Sequence, residues 1–275
     1  MKVAVAQYEA GSDKNANLEH ITELAEQAAS AGARLVVFPE GAMHTFGELN
    51  DDLRPSAELL DGPFVDHLSR LASRLNQTLV AGMFELIPGD ERIYNTAVVI
   101  DPSSGLAAAH RKGHLYDAFG ENESDRFRPN PLPAGERDLH AEGDHPMVRV
   151  DGFTIAIAIC YELRFPTFIQ QLADRGADLL VAPSAWVAGP LKEEHWNVMV
   201  RARAIENTMY VAAVGMTGAG YCARSMIVDP MGAVIGGLGE TEGVAVADLS
   251  KERLARVRAK LPLVAQRRAA SGVRV

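Results

Sequence analysis

The sequence predicts an α/β fold made of layers that contain mixed sheets. Short apolar runs rich in β-branched residues, such as residues 154–159, are typical of strands buried on both faces. Between these runs lie segments whose apolar residues recur at helical spacing, such as residues 15–31. A hairpin at residues 94–111 interrupts the alternation of strands and helices, which argues against a purely parallel barrel.

The first half of the chain is predicted to alternate strands with helices and then to form the hairpin. Gly32 ends the first helix and Pro63 begins the second, as is typical of these two residue types. A long polar segment follows at residues 113–145, and loops of that length are often functional. The predicted elements are a strand at 3–7, a helix at 15–31, a strand at 35–38, a helix from 63, a strand at 79–84 and hairpin strands at 94–101 and 106–111.

The second half continues the alternation after the long polar segment. Pro166 is suited to the first turn of a helix, and Gly176 to its end. The predicted elements are strands at 154–159 and 179–182, helices at 166–175 and 193–206, and strands at 210–214, 224–228 and 244–248.

Composition narrows the class of protein. The chain has 275 residues, 47% of them hydrophobic, which is enough for a sizeable core in one domain. The net charge of −9 argues against bulk binding to nucleic acid. No stretch approaches the roughly 18 apolar residues of a membrane span, the N-terminus has no signal-peptide pattern, and two cysteines suit a reducing compartment. We therefore expect a soluble, cytoplasmic protein.

The C-terminal residues 251–275 form a basic tail on an acidic body. They carry eight of the 27 Lys and Arg residues but one of the 36 acids. Such a tail is expected to dock on the body or on a partner subunit. Some of its apolar residues are spaced to share a helical face, although Pro262 limits the length of that helix.

Four residues with reactive side chains, Glu40, Lys112, Glu123 and Cys160, stand at or just past predicted strand ends. In open α/β sheets the ligand crevice lies beyond the carboxyl ends of the strands. A cysteine nucleophile needs a base for its proton and positive charge or N–H donors for the oxyanion, which these residue types can supply. Each residue alone also has a plainer interpretation. Glu40 could be a solvated loop acid and Lys112 a surface charge. Glu123 could belong to a solvated face, and Cys160 could be a core cysteine.

Cys160 lies where the buried run at 154–159 gives way to the helix that Pro166 begins. Backbone N–H groups at a helix start favour the thiolate, so a lowered pKa is the expectation for a reactive thiol there.

Three short blocks resemble the signature of the nitrilase superfamily of carbon–nitrogen hydrolases. They are Phe-Pro-Glu at 38–40, Arg-Lys-Gly-His-Leu-Tyr-Asp at 111–117 and Cys-Tyr-Glu-Leu-Arg-Phe-Pro at 160–166. The resemblance extends to residues 201–207 and 229–232 and so covers nearly the whole chain, in order. Three blocks in sequence are a far stronger signal than any one of them.

The resemblance implies a four-layer α-β-β-α sandwich with two mixed sheets and a Glu-Lys-Cys triad. Cys160 would be the nucleophile and Glu40 the general base, while Lys112 and the backbone N–H of Tyr161 would stabilise the tetrahedral intermediate. Glu123 matches the second glutamate of the family, with Glu121 as the competing position. Residues 1–250 would then be the carbon–nitrogen hydrolase domain and 251–275 a tail or arm of it. No cofactor or metal is implied, and the histidines show no metal-ligand spacing.

The Cys-Tyr-Glu block resembles the amidase-like branches of the family, including ω-amidases and deaminated-glutathione amidases, more than true nitrilases. It implies a thiol-dependent amidohydrolase, and the favoured substrate is a small amide that carries a carboxylate. N-carbamoyl compounds and nitriles stay open as substrates. The family's C-terminal arm often packs on a partner subunit, so a homodimer or higher homo-oligomer is expected.

Arg164 lies four residues after Cys160, and its guanidinium is a candidate to hold a substrate carboxylate through two parallel hydrogen bonds. The alternative is a structural salt bridge to Glu162 or Asp174.

Other chemistries stay open. In a Cys-His hydrolase, one of the histidines would act together with Cys160. In a redox protein, Cys222 would be the resolving partner of Cys160. A protein of this fold without catalytic activity would only bind its ligand. The candidate histidines are His110, His114, His145 and His195.

Overall fold

The computed structural model describes residues 1–48, 51–130 and 145–270, and within them two six-stranded mixed sheets carry the fold. In the first sheet the strand order is β12-β1-β2-β3-β4-β5, and in the second it is β11-β10-β9-β8-β7-β6. The strands are β1 Lys2–Gln7, β2 Leu35–Val37, β3 Thr78–Glu85, β4 Tyr94–Asp101, β5 Gly105–Arg111, β6 Val148–Val150, β7 Phe153–Ile157, β8 Leu179–Ser184, β9 Tyr210–Gly215, β10 Met226–Val228, β11 Val234–Gly237 and β12 Gly243–Asp248.

Each sheet has a parallel centre and antiparallel margins. β1, β2 and β3 are parallel, as are β7, β8 and β9, and the outer strands pair antiparallel to them. The parallel strands end at the same side of each sheet, where their carboxyl ends meet. The helices are α1 Lys14–Ser30, α2 Pro63–Leu75, α3 Pro166–Asp174, α4 Lys192–Asn207, α5 Lys251–Lys260 and α6 Leu263–Ala270.

Alternation along β1 shows how the layers form. Val3 and Val5 belong to the core between the two sheets, whereas Ala4 and Ala6 belong to the core beneath α1 and α2. Successive side chains of a strand point to opposite faces, so each central strand buries both sets. The helices α3 and α4 cover the second sheet in the same way, through residues such as Ile169 and Trp196. The predicted four-layer sandwich with two mixed sheets is confirmed.

Two strands were missed, both short. β6 has three residues, and β11 is a mostly exposed edge strand whose last two residues are glycines. Neither has the length or the apolar run by which buried strands are predicted. Of the polar segment 113–145, residues 131–144 lie outside the described ranges.

Residues 251–270, the described part of the basic tail, pack on the body of the same chain. α5 buries Leu254 and Val257, and Ser250 caps its first turn by accepting a hydrogen bond from the backbone N–H of Arg253. Lys251 and Arg258 both pair with the buried Asp178, at 2.6 and 2.9 Å. These ion pairs hold the positive tail against the acidic surface. Within the described ranges, no helix is both long and apolar enough to cross a membrane.

Candidate active site

Glu40, Lys112, Glu123 and Cys160 line one cavity of about 460 Å³, although they come from distant parts of the sequence. All four side chains are at least nine-tenths buried. Tyr161 and Arg164 line the same cavity. The structure therefore brings together all six residues that the sequence singled out.

Glu40 is positioned by the end of β2 and by the neighbouring strand. The backbone N–H of Gly82 in β3 donates to the carbonyl of Pro39 at 3.0 Å. A Cβ atom at Gly82 would lie 2.4 Å from the backbone nitrogen of Gly41 and 2.7 Å from the Cα of Glu40. Because real Cβ atoms do not approach that closely, only glycine allows the backbone of Glu40 to lie against β3.

The Glu40 carboxylate accepts three hydrogen bonds, each from a different part of the chain. Its Oε1 accepts from Lys112 Nζ and from Asn95 Nδ2, both at 2.8 Å. Its Oε2 accepts from the backbone N–H of Ala185, which follows β8, at 2.8 Å. The carboxylate thus links the two sheets, and its orientation is held from both sides.

Lys112 follows β5 and lies between two carboxylates. Its Nζ donates to Glu40 Oε1 at 2.8 Å and to Glu123 Oε2 at 2.8 Å. Burial by itself would lower the pKa of Lys112, but the charges of Glu123 and Glu40 outweigh it and raise that pKa above its usual value. The amine is therefore held as an ammonium.

Of the two candidate second glutamates, Glu123 is the one that contacts Lys112. Its Oε2 also accepts from the backbone N–H of Tyr116 at 2.6 Å, and its Oε1 accepts from Asn95 Nδ2 at 2.9 Å. Glu121 also lines the cavity, but it is less buried than Glu123. Glu123 is the first residue of the short 3-10 helix Glu123–Asp125 and the one residue of that helix that is buried.

Cys160 does not lie on the strand itself. β7 ends at Ile157, and Cys160 begins a 3-10 helix, Cys160–Arg164, with a positive φ of 46°. A non-glycine residue in this region is uncommon and is concentrated at functional sites. The first hydrogen bond of this helix runs from Glu162 N to Ile159 O at 3.0 Å, so the N–H groups of Cys160 and Tyr161 precede it.

The thiol differs from the sequence-based expectation of a lowered pKa. Burial and the neighbouring negative charge of Glu40 raise the pKa of Cys160 well above its usual value, and the opposing effect of Lys112 is smaller. The prediction considered only the N–H groups of a helix start, whereas in the structure the thiol is buried and lies near the charges of Glu40 and Lys112. The raised pKa favours the neutral thiol over the thiolate.

Glu162, two residues after Cys160, is completely buried and ties this turn to the Lys112 strand. Its Oε1 accepts from the backbone N–H of Gly113 at 2.7 Å, and its Oε2 accepts from that of Ile159 at 2.7 Å. Oε2 also lies 2.8 Å from His110 Nε2. Burial alone would raise the pKa of Glu162, but the His110 charge and these hydrogen bonds lower it to about 2.

Arg164 makes neither of the salt bridges that the sequence suggested. Glu162 bonds His110, and Asp174 pairs with Arg267 at 2.7 Å. The Arg164 guanidinium instead lies over the Trp186 ring, 4.6 Å from its centroid, with His195 Nδ1 at 3.5 Å. Its Nε is buried and has no hydrogen-bond partner among the described residues.

The histidines and Cys222 lie elsewhere. No histidine of the described ranges lines the cavity. His114 stacks on Phe165 with ring centroids 3.8 Å apart, which is a packing role. Cys222 is buried and has a free thiol, and burial raises its pKa to about 12. Across the described part of the chain, no group of three or more His, Cys, Asp or Glu could hold a metal ion.

Sequence reasoning missed several residues of the cavity and its support. Asn95 bridges Glu40 and Glu123, and its only signal was one polar residue near the start of an apolar strand. Trp186 and Lys192 line the cavity from the segment after β8, where no local pattern marks them. Arg203 of α4 lies in the 201–207 block of the resemblance, but no role was predicted for it; it donates to the carbonyl of Leu163 at 2.8 Å and so supports the Cys160 turn from outside.

The four-layer fold is that of the nitrilase superfamily, as in the solved structure of Nit3 from Saccharomyces cerevisiae, with a TM-score of 0.81 and 29% identity, covering 98% of this chain and 96% of that one. Residues 2–259 match the carbon-nitrogen hydrolase family, and the chain belongs to that family. The resemblance identified from the short blocks is therefore confirmed.

Several relatives of the chain are amidases by name. The chain is 35% identical over 269 residues to the deaminated glutathione amidase of Escherichia coli O157:H7, which covers 98% of this chain and 97% of that protein. It is also 35% identical over 278 residues to the chloroplastic omega-amidase of Arabidopsis thaliana, covering 97% of this chain and 72% of that protein.

A solved structure with the same fold carries a modified cysteine. It is a glutamate-to-glutamine mutant of the amidase from Nesterenkonia sp. AN1, with a TM-score of 0.78 and 25% identity, covering 95% of this chain and 98% of that one. That structure shows the result of Michael addition of acrylamide at its active-site cysteine. These similarities support hydrolysis of amides as the general activity.

Proposed function

We propose that this chain is a thiol-dependent amidohydrolase that cleaves a small amide through a thioester on Cys160 and releases ammonia. The observation that carries the proposal is the shared cavity, in which a thiol, an ammonium and a carboxylate from three strand ends lie together. Buried ionisable groups are costly to the fold, so three of them in one cavity argue for a catalytic purpose.

In the proposed first half-reaction, Glu40 is the general base. The raised pKa of Cys160 keeps the thiol protonated, so its proton passes to Glu40 as Sγ attacks the amide carbon. Attack forms the C–S bond and moves the carbonyl electron pair onto oxygen. Lys112, whose raised pKa keeps it protonated, stabilises that oxyanion together with the N–H of Tyr161.

The intermediate then collapses and the enzyme is regenerated. The C–N bond breaks, Glu40 gives its proton to the nitrogen, and ammonia leaves a thioester on Cys160. Water attacks the thioester while Glu40 takes one of its protons, and a second tetrahedral intermediate forms. The C–S bond breaks, Cys160 regains its proton from Glu40, and the carboxylic acid product departs.

The proposed substrate carries a carboxylate that Arg164 holds. No carboxylate of the described residues lies within 4 Å of the Arg164 guanidinium, and the side chain lines the cavity that contains Cys160. A guanidinium fork matches a carboxylate through two parallel hydrogen bonds. The names of the two relatives, an omega-amidase and a deaminated glutathione amidase, also support an amide.

The test combines a substrate panel with variants of the triad. Ammonia release is compared among ω-amides of dicarboxylates, N-carbamoyl amino acids, aliphatic amides and nitriles. On the preferred substrate, Cys160→Ala, Glu40→Gln and Lys112→Ala are each expected to lower kcat by about a thousandfold or more, and the double variant Glu40→Gln/Cys160→Ala to be little worse. Cys222→Ala is the matched control. Full activity in Cys160→Ala contradicts the mechanism, and no turnover on the whole panel favours a binding protein.

We also propose that the chain forms a homo-oligomer. Five large apolar side chains of α4 and of the segment 231–235 are 40 to 54% exposed. Ile205 lies against Gly232, so the two elements are adjacent. An apolar patch of this kind suits contact with a second copy. The five are Val198, Ile205, Met231, Val234 and Ile235. Light scattering on the full chain and on residues 1–250 tests the proposal, and a full-length monomer at micromolar concentration contradicts it.

A further inference from the structure

Three cations of the cavity form no salt bridge with any carboxylate of the described residues. Arg126, Arg164 and Lys192 line the cavity, and no carboxylate of the described residues lies within 4 Å of any of them. Lys112, by contrast, is neutralised by two glutamates. Arg126 uses its Nη1 to bind the backbone carbonyls of Phe46 and Glu48, at 3.0 and 3.2 Å, and so holds one wall of the cavity together. This leaves Arg164 and Lys192 as two cations available to a ligand.

Lys192 is held at the cavity by aromatic residues. Its Nζ donates to the hydroxyl of Tyr116 at 3.2 Å and lies 4.7 Å from the centroid of the Phe119 ring. The Tyr116 ring in turn packs edge-on against Tyr161, the residue after Cys160, with centroids 5.1 Å apart. Aromatic rings attract an ammonium without neutralising it, so its charge stays available to an anion.

Local stability does not explain a lysine at this position. Lys192 is the first residue of α4, and the positive end of a helix dipole disfavours a cation there. The preceding residue, Leu191, has a φ of 61° and is 71% exposed, and it makes no side-chain cap. Places that break local rules without a packing gain are typical of functional sites.

Trp186 contacts the side chain of Arg164 and the backbone of Lys192. Arg164 stacks on the Trp186 ring, and Trp186 Nε1 donates to the backbone carbonyl of Lys192 at 2.9 Å. Trp186 thus contacts both residues, and both side chains line the cavity that contains Cys160. The remaining acids of the cavity wall, Glu48 and Glu121, would repel an anion that approached from their side.

We propose that Lys192 binds a second carboxylate, so that the preferred substrate is an amide with two carboxylates, one at Arg164 and one at Lys192. This inference rests on the proposed function and deepens it by naming the substrate class. The Lys192 ammonium donates a charge-assisted hydrogen bond to this second carboxylate, called the distal carboxylate below. The distal carboxylate thereby supplies the negative charge that Lys192 does not receive from a described carboxylate within 4 Å.

The experiment uses two amides that differ in the distal charge alone. N-succinylglutamine carries two carboxylates, and N-butyrylglutamine has a methyl group in place of the distal one; both present the same side-chain amide. Lys192→Met removes the charge and Lys192→Arg keeps it, while Lys260→Met, at an exposed position of α5, is the matched control. We expect Lys192→Met to lower kcat/KM about tenfold or more for N-succinylglutamine and less than threefold for N-butyrylglutamine. Lys192→Arg should retain most of the activity.

Binding to the full chain with Cys160→Ala separates this inference from the proposed function. Calorimetry should show N-succinylglutamine binding about tenfold more weakly once Lys192→Met is added, with N-butyrylglutamine unaffected. That result supports the Lys192 site whether or not the unaltered enzyme hydrolyses either amide. If neither amide is hydrolysed, the proposed function is contradicted but the Lys192 site is not. Equal losses on the two ligands, or no binding of N-succinylglutamine, would overturn the second carboxylate site.

Discussion

The carboxylate of Glu162 accepts a 2.7 Å hydrogen bond from the backbone N–H of Gly113. Glu162 follows Cys160 by two residues, and Gly113 follows Lys112 directly, so this bond connects the two turns that carry the thiol and the ammonium. The same carboxylate accepts from the backbone N–H of Ile159 on the other side of the thiol. Glu162 is therefore a positioning residue for both groups.

Replacement of Glu162 by Gln should lower kcat by at least about tenfold and also lower Tm. Gln has one carbonyl oxygen in place of two, so it leaves one of the buried donors without a partner, at a cost of about 1–3 kcal/mol. Steady-state kinetics and a melting curve measure the two effects, with the exposed Glu19→Gln of α1 as control. Unchanged kcat together with a lowered Tm would leave Glu162 with a purely structural role.

The lowered pKa of Glu162 predicts a specific loss of stability in acid. Its pKa falls from 4.5 to about 2 on folding, so its contribution is complete above about pH 4.5 and disappears as the pH falls through about 2. The shift is equivalent to about 3 kcal/mol in favour of the ionised form. Urea unfolding of the unaltered chain and Glu162→Gln should give free energies of unfolding that converge between pH 4.5 and 2. A constant difference over that range would contradict the prediction.

Alkylation of Cys160 by iodoacetamide should accelerate with pH to beyond pH 9. Burial and the Glu40 charge raise the pKa of this thiol above its usual value of 9.0, so the thiolate fraction is still rising there. Mass spectrometry of the Cys222→Ala variant follows Cys160 alone. A rate that reached a plateau below pH 8 would show a thiolate at rest and would argue against proton transfer to Glu40.

Gly82→Ala should lower kcat more than it changes KM. The added Cβ would collide with the backbone of Glu40 and Gly41, which moves the proposed base while leaving Arg164 in place. We expect a loss of about a hundredfold, the size of effect that a displacement of about 1 Å produces. Gly239→Ala, where a Cβ would meet nothing within 4 Å, is the control. Similar kinetics in both variants would show that the close approach does not position Glu40.

Arg164→Lys should be costly for an amide that carries one carboxylate and nearly neutral for an uncharged amide of similar size. Lysine keeps the charge but cannot reproduce the planar fork of the guanidinium, so we expect about a tenfold loss in kcat/KM on the acidic substrate. A melting curve accompanies the kinetics. Equal losses on both substrates, with a lowered Tm, would assign Arg164 to the packing of Trp186 rather than to substrate binding.

Local patterns in the sequence determined the layers and the ends of the strands. Period-two and period-3.6 apolar spacing depends on neighbours within a few residues, so the strands around Val36, Val80 and Ile155 were predicted within a few residues of their bounds. Short blocks at or after the ends of β2, β5 and β7 also indicated the family, which the match over residues 2–259 confirms.

Tertiary packing decided which side chains at the strand ends contact one another and how their pKa values shift. The contact of Lys112 with Glu123 depends on how two loops fold over the sheets, and no spacing in the sequence encodes it. The direction of the Cys160 pKa shift was wrong from sequence because burial and the charge of Glu40 act through space. Asn95 and Lys192 escaped notice for the same reason: each matters through neighbours that lie far away in the chain, and those distances exist only in the folded protein.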